Sequence, residues 1–147
     1  MARVLITGMS GVGKSSVVAL LGDRGVPAID TDYGSWKTQD GLWDVNRMTA
    51  LIEGHPDLAV AGTVENQGYF YDRFDHVVLL SAPEAIILER VQRRATNPYG
   101  SREAERTEIR ENLRSVEPLL RRGATLELDA TRPLVGLVGE IMSLVRP

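Results

Sequence analysis

The sequence predicts an α/β domain in which a five-stranded parallel sheet lies between two layers of helices. Three observations lead to this prediction. Short apolar runs alternate with helical segments along the chain, residues 4–6 are apolar at every position, and a glycine-rich loop joins that first run to a helical segment. Because a strand, a crossover helix and a second strand normally form a parallel pair, this alternation favours a parallel sheet covered on both faces.

The five predicted strands are short, and they cover residues 4–6, 26–29, 58–61, 76–80 and 125–128. Apolar residues at helical spacing predict helices at about residues 15–23, 45–53, 84–94, 109–120 and 132–145. Ser81 and Glu84 have the spacing of a capping box for the third helix, and Thr131 is placed to cap the last one. The polar residues 62–68 predict a turn after the third strand.

Composition and charge indicate an ordinary globular protein and exclude several classes of function. The 147 residues, of which 43% are hydrophobic and 25% charged, suit a single domain over residues 1–147. Since the chain has no cysteine, it has no disulfide, thiolate metal site or cysteine nucleophile. A net charge of −3 disfavours sequence-independent binding of nucleic acid, which relies on a basic surface.

The sequence shows no signal for a membrane or for export. Residues 1–6 lack the layout of a signal peptide, and no apolar run approaches the roughly 18 residues of a transmembrane helix. We therefore expect a cytoplasmic protein without a membrane partner. We also expect it to be a monomer or a homodimer.

The loop after the first strand matches a phosphate-binding pattern, because Gly8, Gly13, Lys14 and Ser15 have the spacing G-x-x-x-x-G-K-[ST]. Glycines let successive backbone N–H groups converge on phosphate oxygens, the lysine brings a charge to the β- and γ-phosphates, and the serine hydroxyl is placed to bind Mg²⁺. A predicted strand precedes the motif and a predicted helix follows it, which favours an ATP-binding loop over a chance glycine-rich turn. The residues predicted to contact the nucleotide here are Gly8, Ser10, Gly11, Val12, Gly13, Lys14, Ser15 and Ser16.

Two aspartates, Asp30 and Asp32, follow the second predicted strand. In open parallel sheets the ligand crevice lies beyond the carboxyl ends of the strands, so both carboxylates are expected near the phosphate loop. We predict that Asp30 takes part in the Mg²⁺ site, with Ser15, or acts as a base, and that Asp32 binds the acceptor of the phosphoryl group. The alternative is a solvated turn, in which aspartate is common.

Two other classes of phosphate-loop protein find no support. The D-x-x-G and [NT]-K-x-D elements of guanine-specific switch proteins do not occur, and the short chain disfavours large motor and transporter ATPases. What remains, including the D-x-D element at residues 30–32, resembles the shikimate-kinase and gluconate-kinase-like group of nucleoside-monophosphate-kinase-type folds. The glycine triplet of the shikimate type is replaced by Gly62-Thr63-Val64, which argues against shikimate itself as the acceptor.

The resemblance implies a sheet in the order 2-3-1-4-5 and a small lid at about residues 95–102. It also implies roles for four arginines. Arg94 and Arg102 flank the lid and would stabilise the transferred phosphoryl group, while Arg90 would contact the nucleotide. Arg132 belongs to a segment that resembles the loop over the adenine ring. The alternative for the arginines of this region is pairing with neighbouring glutamates on a solvated helix face.

For two groups of side chains near the predicted crevice, the sequence is compatible with either a binding role or a structural role. Tyr33, Trp36 and Trp43 either line an acceptor pocket or cover a small core. Thr63, Asn66 and Gln67 either bind a polyhydroxylated or amide-bearing acceptor or cap a helix.

Together these features predict an ATP- and Mg²⁺-dependent phosphotransferase that moves the γ-phosphoryl group to a hydroxyl of a small molecule. Lys14, the two aspartates and a lid arginine are the expected catalytic residues. One alternative is a nucleoside-monophosphate kinase. Another is a regulatory nucleotide-binding module with slow hydrolysis and no acceptor. A kinase acting on the 5′-hydroxyl of nucleic acid is disfavoured by the acidic charge balance.

Overall fold

The computed structural model describes residues 1–93, 99 and 102–147 of the chain. Within these residues all five strands run parallel in one sheet with the order β2-β3-β1-β4-β5. The strands are β1 (Arg3–Thr7), β2 (Ala28–Asp30), β3 (Leu58–Ala61), β4 (His76–Ser81) and β5 (Leu126–Asp129). The predicted fold class and strand order are therefore confirmed. Of the predicted lid, all but residues 99 and 102 lie outside the described part of the chain.

Helices connect the strands and cover both faces of the sheet. They are α1 (Lys14–Asp23), α2 (Val45–Glu53), α3 (Glu84–Arg93), α4 (Glu103–Ser115), α5 (Glu117–Gly123) and α6 (Leu134–Val145), together with a 3₁₀ helix over Gln67–Arg73. The polar turn predicted over residues 62–68 is present at residues 62–66 and leads into the 3₁₀ helix, which the sequence did not indicate. None of the described helices is both long and apolar enough to span a bilayer.

Strand β1 occupies the centre of the sheet and is buried on both faces. Val4 and Ile6 join a hydrophobic cluster with α1, α3 and α6, whereas Leu5 joins a second cluster with α2 and the 3₁₀ helix. Successive side chains of a strand point to opposite faces, so a strand with two covered faces needs an apolar residue at every position. This explains the uninterrupted apolar run that marked β1 in the sequence.

Two predicted helix caps are wrong. Ser81 is the last residue of β4, and its hydroxyl donates to Glu127 Oε2 at 2.7 Å instead of capping α3. The carbonyl oxygen of Pro83 accepts the first backbone hydrogen bonds of α3. Helix α6 begins only after Pro133 and has no side-chain cap, because the Thr131 hydroxyl donates to Asp129 Oδ1 at 2.6 Å. In both cases a carboxylate in the strand-end region is the stronger acceptor partner for the hydroxyl.

The helix predicted over residues 109–120 is divided into α4 and α5 at Val116. Pro118 lies in the first turn of α5, where its missing N–H group is not needed. Within one continuous helix the same proline would leave the carbonyl group four residues earlier without its partner. The division matters for function, because α4 and α5 together form one side of a cavity described below.

The loop after β2 is held to β3 by a buried hydrogen-bonded pair, Thr31 and Trp43, each 1% exposed. Trp43 Nε1 donates to the Thr31 hydroxyl at 3.0 Å, and that hydroxyl donates to the carbonyl oxygen of Ala61 at 2.8 Å. A Cβ atom on Gly62 would lie 2.2 Å from Thr31 Oγ1, so only glycine fits beside the pair. Trp43 therefore belongs to the core. Of its two predicted roles, covering a small core is confirmed and lining an acceptor pocket is not.

We expect Thr31→Val to lower the free energy of unfolding by about 1–3 kcal/mol, because the nearly isosteric change leaves the buried indole N–H of Trp43 without an acceptor. Urea denaturation measures the effect. Thr107→Val, at an exposed position on α4, is the control and should change stability far less. Equal losses in the two variants would contradict the assigned role of the pair.

Candidate functional site

The phosphate-loop motif connects β1 to α1 at the centre of the sheet, as its sequence context predicted. Gly13 has a φ of +97° and immediately precedes α1, a conformation that side-chain-bearing residues rarely adopt. It also provides no side chain to cap the helix. The first N–H groups of a helix have no partner within the helix, and here they face a cavity and carry the positive end of the helix dipole. This end of α1 is suited to bind an anion.

Lys14 folds back over the loop that precedes it. Its Nζ atom donates hydrogen bonds to the carbonyl oxygens of Gly8 and, at 3.2 Å, of Met9. The ammonium group is thus placed across the opening of the loop, where it can contact phosphate oxygens bound by the loop amides.

Ser15 and Asp30 meet although 15 positions separate them in the chain. Ser15 Oγ donates to Asp30 Oδ2 at 2.5 Å, while Asp30 Oδ1 accepts from the backbone N–H of Asp32 at 3.0 Å. A hydroxyl and a carboxylate oxygen are the hard ligands that Mg²⁺ prefers, and Mg²⁺ usually keeps several waters and substrate phosphates around few protein ligands. The pair fits that ion. No cluster of three or more His, Asp or Glu side chains with metal-site geometry occurs in the described part of the chain.

Asp32 lies at the mouth of the site, where Lys37 Nζ donates to its Oδ1 atom at 2.8 Å. Both side chains are partly exposed, so this ion pair contributes little to stability and leaves the second carboxylate oxygen available. The two aspartates at the end of β2 therefore have different surroundings. Asp30 faces Ser15 of the phosphate loop, and Asp32 faces the open crevice.

A chain of hydrogen bonds supports the start of the phosphate loop from the turn after β3. Gln67 Nε2 donates to the hydroxyl of Thr7 at 3.1 Å, and the Thr7 and Thr63 hydroxyls lie 3.0 Å apart. The Thr63 hydroxyl donates to the carbonyl oxygen of Gly8 at 2.6 Å. Since Thr63 uses its proton for Gly8, Thr7 donates to Thr63. The polar residues after β3 thus have a structural role at the loop, which was neither of the two interpretations in the sequence.

Two cavities open on either side of this loop. The α1 cavity, of about 440 Å³, is lined by the loop, the start of α1 and the segment between β5 and α6. The α5 cavity, of about 730 Å³, is lined by the loop, the turn after β3 and helices α4 and α5. Ser10, Lys14 and Asp32 line both cavities. The two spaces therefore meet at the lysine of the motif and at the second aspartate.

The nucleotide-contact residues predicted from the sequence mostly line the α1 cavity. These are Ser10, Gly11, Val12, Gly13, Lys14, Ser15, Ser16, Arg90 and Arg132. Gly8 lines the α5 cavity instead. The guanidinium group of Arg90 donates to the carbonyl oxygen of Ala130 at 2.8 Å and to that of Val12 at 3.3 Å, so it joins the loop to the end of β5. Arg132 pairs with Glu140 at 2.6 Å.

Of the two predicted lid arginines, the structure describes Arg102, whereas Arg94 lies outside the described residues. Arg102 is exposed at the start of α4 and lines neither cavity, and its backbone N–H donates to Glu105. Of the aromatic residues after β2, Tyr33 lines the α1 cavity, whereas Trp36 packs on the second hydrophobic cluster. None of them lines the α5 cavity.

Several residues of the α5 cavity were missed in the sequence. They are Met9, Glu65, Tyr71, Asn112, Val116, Leu119 and Leu120. Most of them lie on the 3₁₀ helix and on α4 and α5, which are remote from the motif in sequence. Their spacing carried only a helical signal, and no local pattern shows which helix face lines a cavity.

The Asp129 carboxylate organises the segment that borders the α1 cavity. Hydrogen bonds from the Thr131 hydroxyl and backbone N–H, with the nearby guanidinium groups of Arg132 and Arg90, hold the pKa of Asp129 below its usual value. A carboxylate with a lowered pKa in the folded state stabilises the fold at pH values above its unfolded pKa. This stabilisation is lost as the pH falls through the folded pKa.

We expect Thr131→Val to raise the pKa of Asp129 towards its ordinary value, because the hydroxyl makes the largest contribution to the shift. Carboxyl-carbon NMR titration measures this. The stability difference between the unmodified protein and the variant should be largest at neutral pH and should shrink in acid. An unchanged Asp129 titration in Thr131→Val, matching that of the control Thr107→Val, would contradict the assignment.

Comparisons with known proteins agree with this architecture. The family model described as an AAA domain matches residues 4–111. A search of curated proteins returns no significant match. Among solved structures, shikimate kinase from Acinetobacter baumannii in complex with shikimate has a TM-score of 0.72 at 21% identity, over 99% of this chain and 93% of the other. A gluconokinase from Sinorhizobium meliloti 1021 has a TM-score of 0.60 at 21% identity, over 98% and 93% of the two chains.

At 21% identity, the likeness to these solved structures establishes the fold alone. This fold is the one that the resemblance in the sequence implied. The match to the family model extends over most of the chain, from β1 into α4. The chain therefore belongs to the AAA domain family.

Proposed function

We propose that the protein is a small-molecule kinase that transfers the γ-phosphoryl group of ATP to a hydroxyl group. The observation that carries the proposal is the meeting of two cavities at Lys14 and Asp32, with the phosphate loop between them. A phosphoryl transfer from one small molecule to another requires two adjoining sites with the transferred group at their junction. Kinases named for shikimate and gluconate share the fold, which supports the same class of reaction here.

The α1 cavity is the proposed nucleotide site. The loop amides and the start of α1 would bind the phosphates, and Lys14 would contact the β- and γ-phosphates. The adenine base of ATP would lie at the end of the cavity away from the phosphate loop. There it would be surrounded by Arg90, Arg132 and the apolar side chains of Leu134 and Leu137. Arg90 already joins the loop to β5, so its proposed role is to shape this site.

Ser15 and Asp30 are the proposed Mg²⁺ residues. The Ser15 hydroxyl oxygen would bind the ion, and Asp30 would accept hydrogen bonds from its water ligands. When bound, Mg²⁺ neutralises negative charge on the phosphate oxygens. The present hydrogen bond from Ser15 to Asp30 holds both oxygens on the side of the loop where the phosphates would bind.

Asp32 is the proposed acceptor-orienting residue and base. In the transfer, a bond forms between the acceptor oxygen and the γ-phosphorus, and the bond from that phosphorus to the ADP oxygen breaks. The proton of the acceptor hydroxyl passes to the carboxylate. Lys37 holds one oxygen of Asp32, which leaves the other to contact the acceptor. Lys14 would stabilise the charge of the transition state.

The remaining parts of the proposal concern the whole chain. Residues 1–147 would act as one domain, and the segment at about 95–102 would close as a lid. Arg94 or Arg102 would then reach the transferred group, which closure would shield from water. A nucleoside-monophosphate kinase would need an aromatic surface beside the acceptor. Among the described residues, the one aromatic side chain that lines the α5 cavity is Tyr71, whose hydroxyl accepts from Gln67 Nε2 at 2.9 Å, so the geometry favours a smaller acceptor without a base.

The first test is phosphoryl transfer from ATP and Mg²⁺ to a pooled library of sugars, cyclitols, amino alcohols, hydroxy acids and nucleoside monophosphates, measured by mass spectrometry. We expect one acceptor class to gain a single phosphoryl group. Lys14→Ala should lower the rate by about 100-fold or more, because a charge that stabilises the transition state is lost.

Transfer to a nucleoside monophosphate alone would replace the proposal with that related kinase activity. ATP binding without transfer to any acceptor would contradict a kinase and favour a regulatory nucleotide-binding module. Circular dichroism of Lys14→Ala establishes that the variant is folded.

The two aspartates should be separable by kinetics. Asp30→Asn is expected to raise the Mg²⁺ concentration needed for half-maximal rate, since it removes a charge from the proposed ion site. Asp32→Asn is expected to lower kcat by about 100-fold or more with little change in the KM for ATP, since it removes the proposed base. Asp40→Asn, an exposed aspartate of the same loop, is the matched control. If all three variants behaved alike, the separate roles would be wrong.

A further inference from the structure

The α5 cavity has two chemically different walls. One wall is apolar and consists of Met9 with Val116, Leu119 and Leu120. Leu119 is 58% exposed, so its side chain offers apolar surface at the opening of this cavity. A second wall is polar and includes Asp32 and Glu65, from the loops after β2 and β3, while Asn112 lies on α4, one turn before Val116. If this cavity holds the acceptor, as the proposed function states, the acceptor has one apolar face and one hydrogen-bonding face.

The charges of this cavity are mostly negative. Among the lining residues that the structure describes, Asp32 and Glu65 are acidic and Lys14 is the single cation. Lys14 lies over the phosphate loop, at the junction with the α1 cavity, and its charge is directed to the phosphates. Lys37 offsets the charge of Asp32. Glu65 then leaves a net negative charge in the part of the cavity away from the phosphates.

The side chains of Glu65 and Asn112 make no polar contact within the described part of the protein. Within the described residues, neither side chain makes a hydrogen bond or an ion pair, although their neighbour Gln67 is fully engaged with Thr7, Tyr71 and Val64. Polar side chains in a protein cleft that serve no internal contact are available to a ligand. A carboxylate and an amide together suit an acceptor that donates hydrogen bonds.

A negatively charged acceptor does not suit this wall. A carboxylate ligand would face the Glu65 carboxylate with no described cation beside it, and like charges repel. An ammonium group in the same position would form a charge-assisted hydrogen bond to Glu65. The wall therefore discriminates by charge.

We infer that the acceptor is an amine-bearing hydroxyl compound, of the amino-alcohol or amino-sugar class, whose ammonium group is recognised by Glu65 and whose carbon skeleton packs on Leu119 and Leu120. This inference rests on the proposed kinase function and narrows it. The acceptor hydroxyl would lie at Asp32, at the junction of the two cavities, and the amine would lie beside the exposed Glu65.

The test compares matched acceptors that share one hydroxylated ring and differ only in charge. One set is aminocyclohexanol, cyclohexanediol and hydroxycyclohexanecarboxylate, and a more polar set is glucosamine, glucose and glucuronate. Initial rates of ATP-dependent phosphorylation give kcat/KM for each compound. We expect the amine of a set to exceed the carboxylate by about tenfold or more, as for a hydrogen bond to a charged group.

Variants of Glu65 make the test specific to the proposed contact. Glu65→Gln should lower kcat/KM for the amine by about tenfold while leaving the uncharged member of the set nearly unchanged, and Glu65→Lys should reverse the preference between amine and carboxylate. Glu53→Gln, at the exposed end of α2 and outside both cavities, is the control and should preserve the preference.

The outcomes separate this inference from the function on which it rests. Preferred transfer to carboxylates would overturn the amine assignment, and a preference for amines that survives in Glu65→Gln would overturn the contact with Glu65; the kinase function stands in both cases. If no compound of either set or of the wider library accepted a phosphoryl group, the kinase proposal and this inference would both fail.

Discussion

The hydrogen bonds between Thr63 and Gly8 connect the two strand ends on which both cavities depend. The Thr63 hydroxyl donates to the carbonyl oxygen of Gly8 and accepts from its backbone N–H, and Thr7 and Gln67 support it from the interior. Gln67 and Thr7 are buried polar groups whose displacement would be costly, because each would lose partners away from water. The start of the phosphate loop is therefore held by the turn after β3.

The hydrogen bonds between Thr63 and Gly8 also fix the position of the α5 cavity, the proposed acceptor site, next to the phosphate loop. The turn that contains Thr63 continues into the 3₁₀ helix, which contributes Tyr71 to the α5 cavity. The wall of that cavity is therefore connected to the phosphate loop through this turn. On the other side of the loop, Arg90 joins Val12 to Ala130 and so links the loop to the end of β5. The loop is thus attached on both sides to the carboxyl edge of the sheet. Such attachment keeps reacting groups close to a productive geometry, which phosphoryl transfer needs more than covalent chemistry.

Electrostatics divides the crevice into two parts. The α1 end combines Lys14, Arg90 and the amino end of α1, which attract a polyanion, with Arg132, which is paired with Glu140, and with Asp32, which lines both ends. The α5 end combines two carboxylates with an apolar face and, among its described residues, has no cation besides Lys14. A nucleotide and an amine-bearing acceptor would therefore each prefer a different end of one continuous crevice. The difference helps to exclude the wrong ligand from each end.

The sequence by itself determined the α/β class, the phosphate loop and the position of Asp30 and Asp32 after β2, because each depends on short-range patterns. Periodic burial, glycine backbone freedom and strand-end polarity are all local properties. Only the tertiary structure decided that Trp43 is a core residue, that Thr63 supports Gly8, and that Glu65 and Asn112 line the same cavity as Leu119. These facts follow from the packing of elements that are far apart in the chain. A helix face shows its polarity in sequence, but only the fold determines what it faces.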